Sequence, residues 1–143
     1  MFKSALVLCT GNICRSPYAE AVLKQRTTGV VVDSAGLSAM VNCEADSTGQ
    51  AVARNRGIDM STHKAKQVTR SMIGQSDLIL VMDDEHLLRL HRKYPESRGK
   101  SFKLGKLKGD KNIVDPYLKS QSFFELVFNE IDEAVETWLP HFN

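Results

Sequence analysis

The sequence predicts an α/β fold: a single three-layer domain with a four-stranded parallel sheet flanked by helices on both faces. Three observations point there. Short apolar runs such as SALVLC (4–9) and DLILVM (77–82) have the composition of strands buried on both faces. Helical patterns lie between the runs, and that alternation implies parallel strands joined by right-handed crossovers. The 143 residues, 42% of them hydrophobic, suit one domain spanning 1–143, and no repeat, low-complexity stretch or linker divides them.

Taken in order, the first strand is Ser4–Cys9. After a tight loop, Ser16 reads as the N-cap of a helix with Pro17 at its first position, ending near Thr28 before Gly29. Val30–Ser34 is the second strand. Asp46 caps a second helix that stops at Gly57, and a short helical turn covers Arg70–Gln75. Asp77–Met82 is the third strand, and Asp84–Lys93 a helix ended by Pro95. The fourth strand is about Lys100–Leu104, and the basic stretch from Lys103 to Lys111 reads as a solvated loop. In the last helix Ser122 and Glu125 have capping-box spacing. Phe124, Val127, Phe128, Ile131, Val135 and Trp138 then form a core-facing stripe, ended by Pro140.

Composition excludes several function classes. A formal net charge of +2, without a basic run or patch, gives no basis for nucleic-acid binding. No apolar run could span a bilayer, and the apolar part of the N-terminus, Ala5–Leu8, is a strand rather than an export signal. Three cysteines, an odd number, without such a signal suggest a cytoplasmic protein with reduced thiols. No Cys/His cluster has zinc spacing, so no metal is expected.

The chemistry concentrates in Cys9-Thr10-Gly11-Asn12-Ile13-Cys14-Arg15, between the first strand and the first helix. In parallel sheets ligands bind beyond the carboxyl ends of the strands. A helix N-terminus offers unpaired N–H groups and partial positive charge. Gly11 and Asn12 tolerate the left-handed angles that turn successive N–H groups inward into an anion nest. Arg15 adds a planar fork for two phosphoryl oxygens. The loop is thus a cradle for a tetrahedral oxyanion with Cys9 at its base. A helix N-terminus and a cation favour thiolate over thiol, so Cys9 is expected to be the nucleophile, steadied by the hydroxyl of Ser16. The loop lacks the G-K-[ST] of a Walker A motif and the G-x-G-x-x-G of a dinucleotide fold. Displacing an oxide from phosphorus also needs an acid. Asp115, rigidified by Pro116 and followed by an aromatic Tyr117 that could pack on a substrate ring, is the best candidate; from composition alone Asp83 and Asp84 compete with it on equal terms.

This loop with Ser16-Pro17 and Ala19-Glu20 resembles the signature of the low-molecular-weight protein tyrosine phosphatases. Further matches are Asp33-Ser34-Ala35-Gly36, Arg56-Gly57-Ile58-Asp59, His63 to Val68, Asp77 to Asp83, and Asp115-Pro116-Tyr117. The resemblance implies a phosphocysteine mechanism without cofactor, with Cys9 as nucleophile, Arg15 as phosphate clamp and Asp115 as general acid. It implies that Thr10, Gly11, Asn12, Ile13 and Cys14 cradle the substrate, that Ile13 and Tyr117 flank a phosphotyrosine ring, and that Asn12 and His63 bond to each other. Cys14 is placed to trap an oxidised Cys9 as a disulfide. The segment Leu37-Ser38-Ala39-Met40 has no aromatic residue, and Leu118 stands where a second tyrosine is common. Leu37 as pocket wall resembles the bacterial subgroup that acts on autophosphorylated tyrosine kinases of polysaccharide export. The expected partner is therefore a tyrosine-phosphorylated protein, the expected inhibitors are phosphate-like oxyanions, and a monomer is expected. Two rival readings are a thioredoxin-coupled arsenate reductase, which needs cysteines absent beyond Met82, and a silent phosphotyrosine- or oxyanion-binding module.

Overall fold

A computed structural model describes residues 1–142. Strand β1 (Ser4–Cys9) leads through the Cys9–Arg15 loop into α1 (Arg15–Arg26), and β2 is Val31–Gly36. Helices α2 (Ser47–Arg54) and α3 (Arg70–Gln75) precede β3 (Leu78–Val81). Then come α4 (Asp84–Lys93), a 3-10 turn, β4 (Ser101–Lys103) and the long α5 (Gln121–Trp138). The strands form one parallel sheet in the order β2-β1-β3-β4. The chain winds first to one side of β1 and then to the other. The carboxyl ends of β1 and β3 therefore flank the topological switch point, where such sheets bind ligands.

Two apolar layers cover the sheet. On one face Ala5, Val7 and Leu80 pack with Leu23, Phe124, Phe128 and Ile131 of α1 and α5. There Tyr18 stacks on Phe128, with ring centroids 3.9 Å apart, while its hydroxyl donates to Asp132. On the other face Leu6, Leu8, Ile79 and Val81 pack with Ile73 and Leu90 of α3 and α4. The apolar stripe of α5 is buried as its spacing predicts, and the Trp138 indole N–H donates to Leu104 O at 2.7 Å.

Several local expectations need correction. Helix α1 starts at Arg15, with Cys14 in the N-cap position and no side-chain cap. Ser16 lies inside the first turn because its hydroxyl is engaged with Cys9. The α5 cap is Ser120, which accepts from Phe123 N–H, rather than Ser122. Strand β2 runs on to Gly36 because its ladder with β1 extends to the Cys9↔Gly36 pair. Lys103 is not solvated: it is 5% exposed, and its ammonium meets Asp84, Asp110 and the Asn112 side-chain oxygen. That hub ties the loop after β4 to the start of α4. Helix caps at Asp46 and the span of α4 agree with the sequence.

Gly36 positions the segment that runs beside the cradle. Leu37, Ser38 and Met40 N–H donate to Cys9, Thr10 and Gly11 carbonyls at 2.9–3.0 Å. A Cβ on Gly36 would lie 2.6 Å from Thr10 O and 2.9 Å from Ala39 Cα, both backbone atoms that cannot swing aside. Gly36→Ala should therefore cost roughly 1–3 kcal/mol of stability. A thermal melt of the variant against the parent checks this; an unchanged melting temperature would contradict the contact.

Candidate active site

The loop after β1 is built from the inside outward. Asn12 is fully buried at φ 59°, the left-handed turn expected of it. Its side-chain oxygen accepts from Lys66 N–H at 3.0 Å, which fixes the orientation of the amide. The amide nitrogen donates to Ser16 Oγ at 2.8 Å and to Ser34 Oγ at 3.0 Å. With both serine oxygens accepting, their protons must go elsewhere. Ser34 donates to the Glu20 carboxylate at 2.5 Å, and Ser16 Oγ lies 2.9 Å from Cys9 Sγ, placed to donate to a thiolate there. One amide thus aims a hydroxyl proton at the sulfur. His63 Nε2 meets the Asn12 carbonyl oxygen at 2.7 Å. The expected His63–Asn12 bond exists, then, but through the backbone.

Arg15 is 3% exposed. Nη1 donates to Ile113 O at 2.7 Å and lies 3.6 Å from Asp83 Oδ2; Nη2 lies 3.7 Å from Asp115 Oδ2. Nε is buried and meets no acceptor among the described residues. An unsatisfied buried donor costs about 1–3 kcal/mol, and an oxyanion above Cys9 would relieve that cost.

These groups border a cavity of about 180 Å³. Cys9, Cys14 and Arg15 are buried in its base, while Thr10, Gly11, Ile13 and Ser38 also border it. Asp115, Tyr117 and Met40 complete the rim. Asp115 is half exposed at its side chain, and its Oδ1 accepts from Tyr117 N–H at 3.0 Å. The three carboxylates left open by composition separate here. Asp83 caps α4 through His86 N–H, Asp84 is held by Lys103, and Asp115 alone of the three borders the cavity. A larger cavity of about 620 Å³ lies beside α1 and β2, but no cysteine lines it, and its Lys24 and Lys66 are paired with Glu20 and Asp33.

Leu37 is a correction. It does not border the cavity but packs on the apolar layer of Leu6, Leu8, Val68 and Ile73; Met40, 41% exposed, stands at the wall. Which side chain of a loop faces the site depends on its backbone path, and composition gives no periodicity to read there. Burial pushes the Cys14 thiol well above its ordinary range, helped by the nearby carboxylates of Asp46 and Asp115. Cys14 therefore remains a thiol. All three cysteines are unpaired, and Cys43 is exposed, away from the cavity.

A family model described as low molecular weight phosphotyrosine protein phosphatase matches residues 4–143. The chain belongs to this family. It is thus a low-molecular-weight protein-tyrosine phosphatase, a phosphoric monoester hydrolase. Low-molecular-weight protein-tyrosine phosphatase Etp of Escherichia coli strain K12 is 43% identical over 96% of this chain and 93% of its own length. The corresponding phosphatase Ptp of Acinetobacter johnsonii is 43% identical over 98% of both chains. Among solved structures, tyrosine phosphatase Wzb of Escherichia coli K30, in complex with sulphate, superposes with a TM-score of 0.95 at 38% identity over 99% of each chain. In this phosphatase no helix of the described residues is long and apolar enough to cross a membrane.

Proposed function

We propose that this phosphatase hydrolyses phosphotyrosine in proteins through a phosphocysteine, with Cys9, Arg15 and Asp115 as its catalytic residues. The observation that carries the reading is the convergence of three groups on one cavity: a sulfur within hydrogen-bond distance of the Ser16 hydroxyl, a buried guanidinium whose Nε–H meets no acceptor among the described residues, and a half-exposed carboxylate at the rim. Cys9 sulfur attacks phosphorus as the bond to the phenolic oxygen breaks, and the Asp115 carboxyl delivers its proton to that oxygen. Asp115, now a carboxylate, takes a proton from water as water attacks the phosphocysteine. Inorganic phosphate leaves and the thiolate returns. Loop amides and Arg15 hold the equatorial oxygens, whose charge must be stabilised in both transition states.

Ile13, Met40 and Tyr117 form apolar walls that suit a flat ring. A phosphoserine side chain is too short to bring its phosphorus over Cys9. The protein substrate is an autophosphorylated tyrosine kinase of polysaccharide export, supported by the absence of an aromatic residue from 37–40. The phosphatase acts as a cytoplasmic monomer and is inhibited by phosphate-like oxyanions.

Paired peptides carrying phosphotyrosine or phosphoserine in one sequence test the substrate class. kcat/KM should favour phosphotyrosine by roughly 100-fold or more, as expected when a pocket loses an entire bound ring. Equal rates on the two peptides would remove the ring slot from the account.

A further inference from the structure

His86, in the first turn of α4, is a buried side chain without a part in the chemistry above: it is 2% exposed and stands beside the cradle. Its two ring nitrogens have different partners. Met82 N–H points at Nδ1 from 3.3 Å, and since an amide can only donate, Nδ1 accepts and carries no proton. The Asp83 carboxylate is 3.6 Å from Nδ1, beyond hydrogen-bond distance, and its Oδ1 already accepts from His86 N–H at 2.8 Å. The ring proton is therefore on Nε2, which donates to Thr10 Oγ1 at 2.9 Å. Burial pushes the ring down to about 4; Asp83 and Asp115 oppose the shift, while the charges of Arg15 and Arg89 add to it. The neutral tautomer therefore persists at neutral pH.

We propose that His86 is a positioning residue for the phosphatase reaction, its Nε2–H holding the Thr10 hydroxyl and with it the residue next to the nucleophile. The other anchors of the loop act elsewhere: Ser16 on the sulfur, Asn12 on Ser16 and Ser34, His63 on the Asn12 carbonyl. Among the described residues, Ser38 N–H meets the Thr10 carbonyl and His86 meets its side chain. Because Nε2–H fills the accepting side of Oγ1, the Thr10 O–H turns away from the ring. The Thr10 O–H is then left to donate toward the cavity, which suits a phosphoryl oxygen as acceptor. The inference rests on the cradle reading above and deepens it.

Three variants and one spectrum test it, with 4-nitrophenyl phosphate as substrate and inorganic phosphate as competing anion. His86→Leu removes the donor and should lower kcat/KM roughly tenfold, the worth of one well-formed hydrogen bond, and weaken phosphate inhibition by a similar factor. His86→Gln keeps an N–H near the Nε2 position and should restore most of both. In a Thr10→Val background, His86→Leu should cost nothing further. Nitrogen-15 spectra of the unaltered protein should show Nε2 protonated and Nδ1 bare, a result independent of how the variants fold. A proton found on Nδ1, unchanged kinetics in His86→Leu, or losses from His86→Leu and Thr10→Val that simply multiply would each overturn the assignment. An inactive parent protein would instead sink the cradle reading itself.

Discussion

Cys9→Ser is expected to lower turnover by at least roughly 10⁴-fold, the scale on which removing a covalent nucleophile acts, while phosphate and vanadate still bind. A serine hydroxyl at this position is a far weaker nucleophile than a thiolate. The groups proposed to hold the anion are not on the sulfur: the loop amides and Arg15 Nε remain, and the Asn12-centred network that shapes the loop is untouched. The measurement is a steady-state assay on an aryl phosphate beside calorimetric titration with phosphate. Retained turnover would take Cys9 out of its role. Lost anion binding would mean that the loop itself had collapsed, and a thermal melt would show it.

Asp115→Ala should lower kcat by roughly 10²–10⁴-fold for substrates with basic leaving groups, the usual range for a positioned acid. For strongly acidic phenols the loss should shrink, because those oxides depart without a proton. Arg15 stays anchored in this variant by Ile113 O and Asp83, so substrate affinity should change little. The check is a plot of rate against leaving-group acidity, which should steepen in the variant. A uniform drop across the series would assign the proton to another group. Asp83 is poorly suited to supply it, since it caps α4 and faces the Nη1 of Arg15.

How far the sequence revealed this site depended on whether the information was contiguous. Cys9, Gly11, Asn12 and Arg15 lie in one loop, so their residue types alone suggested an oxyanion cradle, and strand–helix alternation placed it at the sheet's carboxyl edge. Asp115 stood level with Asp83 and Asp84 until the family resemblance favoured it, because only the fold determines which of the three borders the cavity. The Thr10–His86 contact joins positions 76 apart, and no local pattern announces it. Local signals also misled where a side chain had a better partner. Ser16 looked like a cap because it precedes Pro17, yet its hydroxyl belongs to the sulfur and to Asn12. Lys103 looked like a loop lysine because most lysines seek water, yet three oxygen-bearing side chains enclose its ammonium.

The serine–asparagine–glutamate chain beneath the thiol has one more consequence. It draws on β2, α1, the loop and the backbone of Lys66, whereas Met40 and Tyr117 at the rim contribute no side-chain hydrogen bond to it. Leu118 is 82% exposed, so its identity is almost uncoupled from the interior. The molecule is thus modular in the engineer's sense: apart from Asp115, residues around the opening can change while the network beneath the thiol stays as it is.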